Sequence, residues 1–449
     1  MMFIDKPWTA ASLSLGLLSS LAAGAETYTE IANSSTEAGD GSTLFAFDAP
    51  QISNTDLTDN HVVFAATSLK GLTGLYVVPI TGGKIVKVAD THTAVPDGKG
   101  TFTGDYYSYT SAFHPNSSAC SGPVLASAST VVFIGQDADH NHGIYAVPVT
   151  GGKVTRLVDY KSDIPDGPVA GQTHFGHDYD FCNISASGET VVFDGGLDGV
   201  YSVKTDGADL TRIDDHSDVR SSPIEHLPWA NGYYYPWISG SKVAYLGGNV
   251  YGPELVIGGG TGPGKALVYT PGPAHPQGFA WPNVYGTTIM YAADAGNNDT
   301  QFYSVSTEGG AHTLLFNQST ATVPHGARGN KFYEVTTFYN AFASTGRRYI
   351  FTASTYDASP FITYDGVFSV CRPKLSEPGT LSKLVQTGDT IKESFAVRAV
   401  DTVSQVVSTE VDDVAVDQFA THLTYGPPSD PPSIYDGANA IYVVTLPHC

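Results

Sequence analysis

Two histidines, His140 and His142, stand two positions apart in the segment Asp137-Ala138-Asp139-His140-Asn141-His142-Gly143. In extended backbone, alternate residues face the same way. Both imidazoles can then be offered to one ligand, and an imidazole is suited to general-base work near neutral pH. The same segment carries oxygens at alternate positions, on Asp137, Asp139 and Asn141. That spacing can wrap a hard cation, and Ca2+ is the cofactor it suggests. Against a cation site, the glycine comes one position late for an EF-hand loop and no bidentate glutamate follows, so a solvated turn competes with it. Tyr106 and Tyr107 could act as acids beside such a base, and Arg220 or Arg328 could neutralise a substrate carboxylate. Together these types fit β-elimination from a uronic sugar, in which a cation over the carboxylate eases removal of the neighbouring proton. A hydrolase would instead need paired carboxylates, for which Asp178 and Asp180 are candidates.

These residues lie in connections between strands, and the strands come from one recurring unit. It reads GLYVVPITGGKIVKVAD from Gly74, GIYAVPVTGGKVTRLVD from Gly143, GVYSVKTDGADLTRIDD from Gly199 and QFYSVSTEGGAHTLLFN from Gln301, with looser copies from Pro253 and Gly366. Each is a strand, a glycine-bearing turn and a second strand. A second hairpin precedes each copy, and its returning strand recurs as Val62-Val63-Phe64, Val131-Val132-Phe133, Val191-Val192-Phe193, Val243-Ala244-Tyr245, Ile289-Met290-Tyr291 and Tyr349-Ile350-Phe351. Two hairpins make a four-stranded antiparallel blade, and such repetition indicates a radial array. The spacing exceeds the roughly 40–45 residues of a lean propeller blade, so the excess lies in loops.

The last copy, Ala440 to Leu446, lacks an outer strand, and Thr27 to Ala32 has the pattern of one. The fold class expected is therefore all-β, a seven-bladed β-propeller closed by the N-terminal strand completing the last blade. Closure removes free sheet edges. Antiparallel alternation puts the two short turns of every blade on one face and the two long loops on the other. Most of the 14 histidines fall in the long loops, as do Trp229 and Tyr333, and loops on a rigid scaffold commonly carry sites.

The tandem Gly74-Leu75-Tyr76, Gly143-Ile144-Tyr145 and Gly199-Val200-Tyr201 units, with their following turns, resemble the repeats of secreted TolB-like or WD-like propellers. The resemblance covers most of the chain and implies architecture alone. Gly259 to Ala266 nearly matches a phosphate-binding loop, but it lacks the final Ser/Thr and is expected in a turn between strands.

The bulk properties set outer bounds. The chain has 449 residues, with 22 basic and 44 acidic side chains and a net charge of −22. No nucleic-acid or anionic-membrane partner is expected of such a chain. Residues 1–25 read as a secretory signal ending in Ala23-Gly24-Ala25, leaving 26–449 as one propeller domain, secreted, extracellular and monomeric. The four cysteines suggest two disulfides. Blade positions pair Cys120 with Cys182 and Cys371 with Cys449. Sequons begin at Asn33, Asn116, Asn183, Asn298 and Asn317, as in a glycoprotein. The function expected is binding or cleavage of an extracellular glycan on the long-loop face, with lyase chemistry favoured over hydrolysis. A non-catalytic protein-interaction platform is the alternative.

Overall fold

A computed structural model describes residues 26–52, 60–103, 122–127, 129–168, 173–175, 181, 183–195, 199–214, 233–249, 252–259, 262–269, 277–294, 299–335, 342–344, 347–357, 363–372, 379–392, 395–403, 407–411, 414–426 and 438–449. Among these residues every regular element is a strand, and the strands form an all-β propeller of antiparallel sheets. Five sheets are four-stranded meanders, at 44–90, 124–159, 184–214, 233–269 and 277–317. A sixth, at 331–386, has a fifth short strand, Phe342–Ser344, beside Arg348–Tyr356. These six are contiguous in the chain. The seventh is composite: Thr27–Asn33 pairs antiparallel with Ala438–Pro447, which pairs in turn with Val414–Gly426. It also holds Thr390–Lys392, Phe395–Val403 and Val407–Val411, which the repeat did not foreshadow.

The sequence pattern explains why strand-forming runs such as Val62-Val63-Phe64 do not alternate. Each sheet is packed on both faces by its neighbours, so all three residues are fully buried, and a strand covered on both sides reads as a continuous apolar run. Burying a side chain of this size contributes roughly 1.5–3 kcal/mol. The apolar clusters accordingly lie between sheets. One joins Val132 and Ile144 of the second sheet to Ile184 and Phe193 of the third. Another joins Ile31, Ile441 and Val443 of the composite sheet to Phe47 and Phe64 of the first.

Aromatic rings lock the long loops to this core. Phe102 returns from the loop after the first sheet and meets Tyr145 of the second at 4.9 Å, edge to face. Phe175 does the same one sheet on, against Tyr201 at 5.0 Å. Such pairs contribute beyond their buried area. The approach requires Gly135, because a Cβ there would lie 2.5 Å from the Phe102 ring.

Candidate functional site

The long-loop face is built on one turn that recurs after the outer strand of successive sheets. In the first, the Asp90 carboxylate accepts from His92 N–H at 2.9 Å and from the Thr93 hydroxyl at 3.0 Å, while Asp90 N–H donates to Thr93 Oγ1 at 3.0 Å. Asp159 repeats the arrangement with Lys161 N–H and Ser162. Asn317 does so in part with Ser319 and Thr320, and Asn33 with Ser35 and Thr36. Side chains of these types satisfy backbone groups that a turning chain would leave unpaired. The signal in the sequence is an Asp or Asn followed three residues later by Ser or Thr, as at Asp90, Asp159, Asn317 and Asn33. The sequence reading passed over it, because it reads as ordinary loop composition.

In the two aspartate turns a cation three residues earlier completes the arrangement. Lys87 Nζ lies 2.6 Å from Asp90, and Arg156 lies 2.9 Å from Asp159. Burial pushes the Asp90 carboxyl up, but Lys87, His92 N–H and Thr93 outweigh it and hold the group below the usual carboxylate range. These cations also reach back across the junction. Arg156 approaches Asp97 in the preceding loop at 3.7 Å. Arg212 donates to the carbonyls of Pro165 and Gly167 in the loop before its own sheet. Asp97 and Asp166, in the equivalent Pro-Asp-Gly turns, both sit at left-handed φ, 56° and 62°, a region that aspartate tolerates better than most residues.

The segment that suggested a metal or a base forms a closed turn. Asp137 Oδ1 accepts from Asp139 N–H at 2.9 Å and from Asn141 N–H at 3.0 Å, and the Asn141 amide donates to the same carboxylate. Burial raises the Asp137 carboxyl, yet these donors bring it below its ordinary value. The Lys99 ammonium lies 2.7 Å from Asp139. Among the described residues no cluster of three or more His, Cys, Asp or Glu has metal-binding geometry. His140 is exposed at φ 64°. His142 Nε2 lies 2.8 Å from the amide nitrogen of Gln136, whose oxygen accepts from the Thr103 hydroxyl at 2.9 Å. With the amide donating, His142 accepts through Nε2, the nitrogen a general base would need. Arg328 lies on a different part of the ring, in the loop after the fifth sheet. It donates to Gly388 O at 3.0 Å, and its guanidinium lies 5.9 Å from the Tyr364 ring centre. Tyr106, Tyr107, Arg220, Asp178 and Asp180 lie outside the described residues.

Cys371 and Cys449 are joined, with Cα atoms 5.6 Å apart, as their positions predicted. Cys120 and Cys182 lie outside the described residues. The Asn183 sequon is buried, with its amide on the Asp194 carboxylate. Asn33 and Asn317 serve the recurring turn. Gly259 and Gly262 pair across a hairpin, as expected for a strand turn rather than a phosphate loop.

No family model matches the chain, and no curated protein matches it. Solved structures do resemble it. A putative TolB from Agrobacterium tumefaciens aligns with a TM-score of 0.37 and 16% identity, over 61% of this chain and 81% of that one. A prolyl endopeptidase aligns with a TM-score of 0.48 and 8% identity, over 90% of this chain and 51% of that one. A puromycin-hydrolysing peptidase of Mycobacterium tuberculosis aligns with a TM-score of 0.39 and 13% identity, over 84% of this chain and 58% of that one. The chain spans about half the length of the prolyl endopeptidase it matches. The resemblance to TolB-like propellers read from the repeats stands at the level of architecture.

The expectation of a glycan-binding or lyase face is corrected. The propellers that this chain resembles belong to TolB and to peptidases. Of the expected site residues, His142 lies against Gln136, Arg328 donates to Gly388 O, and Asp137 accepts within its own turn.

Proposed function

We propose that the chain is a non-catalytic platform whose long-loop face engages a protein partner, on a single seven-bladed ring closed by the N-terminal strand. One observation carries the platform reading: the polar side chains of the described long loops are bonded to one another and to backbone, which makes the face rigid. Rigid faces bind with little loss of conformational freedom. Exposed groups on that face include Tyr333, which is 47% exposed and stacks edge-on against Tyr356, and Lys99, Lys161 and Lys331.

Closure is supported by the pairing of Thr27–Asn33 with Ala438–Pro447. It is supported further by Asn33 and Thr36, which form the turn that Asp90 and Thr93 form after an outer strand. The Cys371–Cys449 bond favours an oxidising compartment, consistent with secretion.

The test uses lysine cross-linking in the protein's native milieu. Lys99, Lys161 and Lys331 lie on the long-loop face, whereas Lys84 and Lys153 are exposed in short turns on the other. Cross-links to a partner should concentrate on the first three. A partner joined through Lys84 and Lys153, or multiple turnover on a peptide or glycan panel, overturns the reading.

A further inference from the structure

The junction between the sixth sheet and the composite sheet is held by a buried ion pair and a disulfide. Asp417 is fully buried and accepts from Arg348 Nε at 2.6 Å, from Cys449 N–H at 3.2 Å and from His448 Nδ1 at 3.0 Å. Arg348 belongs to the sixth sheet and also donates to Pro447 O at 2.5 Å and to Ser369 Oγ at 3.4 Å. Its register partner in that sheet is Cys371, which is bonded to Cys449. The three residues Pro447, His448 and Cys449 are thus held at one point, by one disulfide and one buried ion pair. Just upstream the chain changes character. Leu446, Val444 and Val443 are buried in the strand, whereas Pro447 and His448 are exposed. Cys449 is buried and Cys371 half-buried, so an attacking thiolate would approach from the Cys371 side.

We infer that this junction is a redox-operated clasp. A small dithiol attacks the Cys371–Cys449 bond through one thiolate, forming a mixed disulfide. Its second thiolate then displaces the protein sulfur and leaves as a cyclic disulfide. Two electrons and two protons pass to Cys371 and Cys449, which become thiols. The segment 447–449 then releases, while the buried strand from Ala440 to Leu446 keeps its place. Release opens one side of Val416, which pairs with Pro447 in the closed form. It also exposes the Asp417 and Arg348 charges to water. The clasp thus switches a strand edge and a charged pair between covered and open states without unfolding the propeller.

The full-length protein should be treated with dithiothreitol well below its melting temperature and followed by thiol counting and hydrogen exchange. Peptide mapping should find new thiols at Cys371 and Cys449, and protection should fall at least tenfold in peptides covering 414–418 and 446–449. Protection in 62–78 and 131–147 should not change, and reoxidation should restore the closed pattern. The Cys449→Ser variant should show the open pattern without reductant. If that variant does not fold, the wild-type measurement decides alone. A bond that resists dithiothreitol until the whole protein unfolds overturns the clasp. So does reduction with no local change in exchange, or a loss of protection spread over every sheet.

Discussion

The junction between the second and third sheets and the junction between the sixth and the composite sheet solve the same problem by different chemistry. At the first, Arg212 reaches from a partly exposed position to the carbonyls of Pro165 and Gly167, and Phe175 packs against Phe193 and Tyr201. Neighbouring junctions at the short-turn end use single hydroxyls. Ser187 Oγ accepts from Gly240 N–H at 3.0 Å, and Ser239 Oγ accepts from Gly286 N–H at 3.2 Å. At the second, a fully buried carboxylate, a guanidinium and a disulfide converge. Among the described residues, the contacts at the first of these junctions are individually weak and many, and those at the second are few and strong.

The largest expected effect lies at the chain-end junction. Asp417→Ala leaves the Arg348 guanidinium buried without its carboxylate, and should cost roughly 3–5 kcal/mol in chemical denaturation. A loss below about 1 kcal/mol would erase the contrast between the two junctions. Next, Cys371→Ser should lower stability by about 2–4 kcal/mol, since the bond closes a loop of 78 residues. Gly135→Ala should cost about 1–3 kcal/mol by pushing on the Phe102 ring. Adding Phe102→Leu should recover part of that loss, and strict additivity of the two changes would show that they do not touch. Ser162→Ala, which removes the two Ser162 bonds of the Asp159 turn, should cost about 1 kcal/mol by thermal melting.

The smallest effect is graded with pH. Asp90 and Asp137 titrate below their ordinary values in the folded chain. Their contribution is therefore present above the unfolded carboxylate pKa and is lost as pH falls through the lower folded values. Stability should decline progressively below about pH 4, the range where unperturbed carboxylates titrate. In Asp90→Asn the decline should be shallower. An identical slope would deny the carboxylate a role in the turn.

How much of this could be read from the sequence follows from where each signal is stored. The blade strands were legible because Gly74-Leu75-Tyr76 and Val62-Val63-Phe64 repeat with their neighbours, and each copy folds from adjacent residues. The turns at Asp90 and Asp159 are also local, and a search for Asp or Asn three residues before Ser or Thr after each outer strand would have found them. Arg348 and Asp417 carry no such signal. They lie 69 positions apart, and only the sheet register brings them together. His140 and His142 show a related limit. Their spacing says which way they could point, but the bond from Gln136 to His142 decides how that ring is used. The same holds for the Asn183 sequon, whose three-residue pattern is indifferent to the burial that hides its side chain.

The pairing of Thr27–Asn33 with Ala438–Pro447 sets a timetable for the ribosome. Thr27–Asn33 waits for a partner strand that is made long after it. At about 5–20 residues per second, the interval is on the order of tens of seconds. Throughout it Ile31 and Ala32, buried in the finished protein, have no partner strand. The nascent chain can assemble its six contiguous sheets in order while its leading segment stays unpaired. That segment is then the natural client of a holding chaperone, and the natural point of exchange between two chains finished side by side.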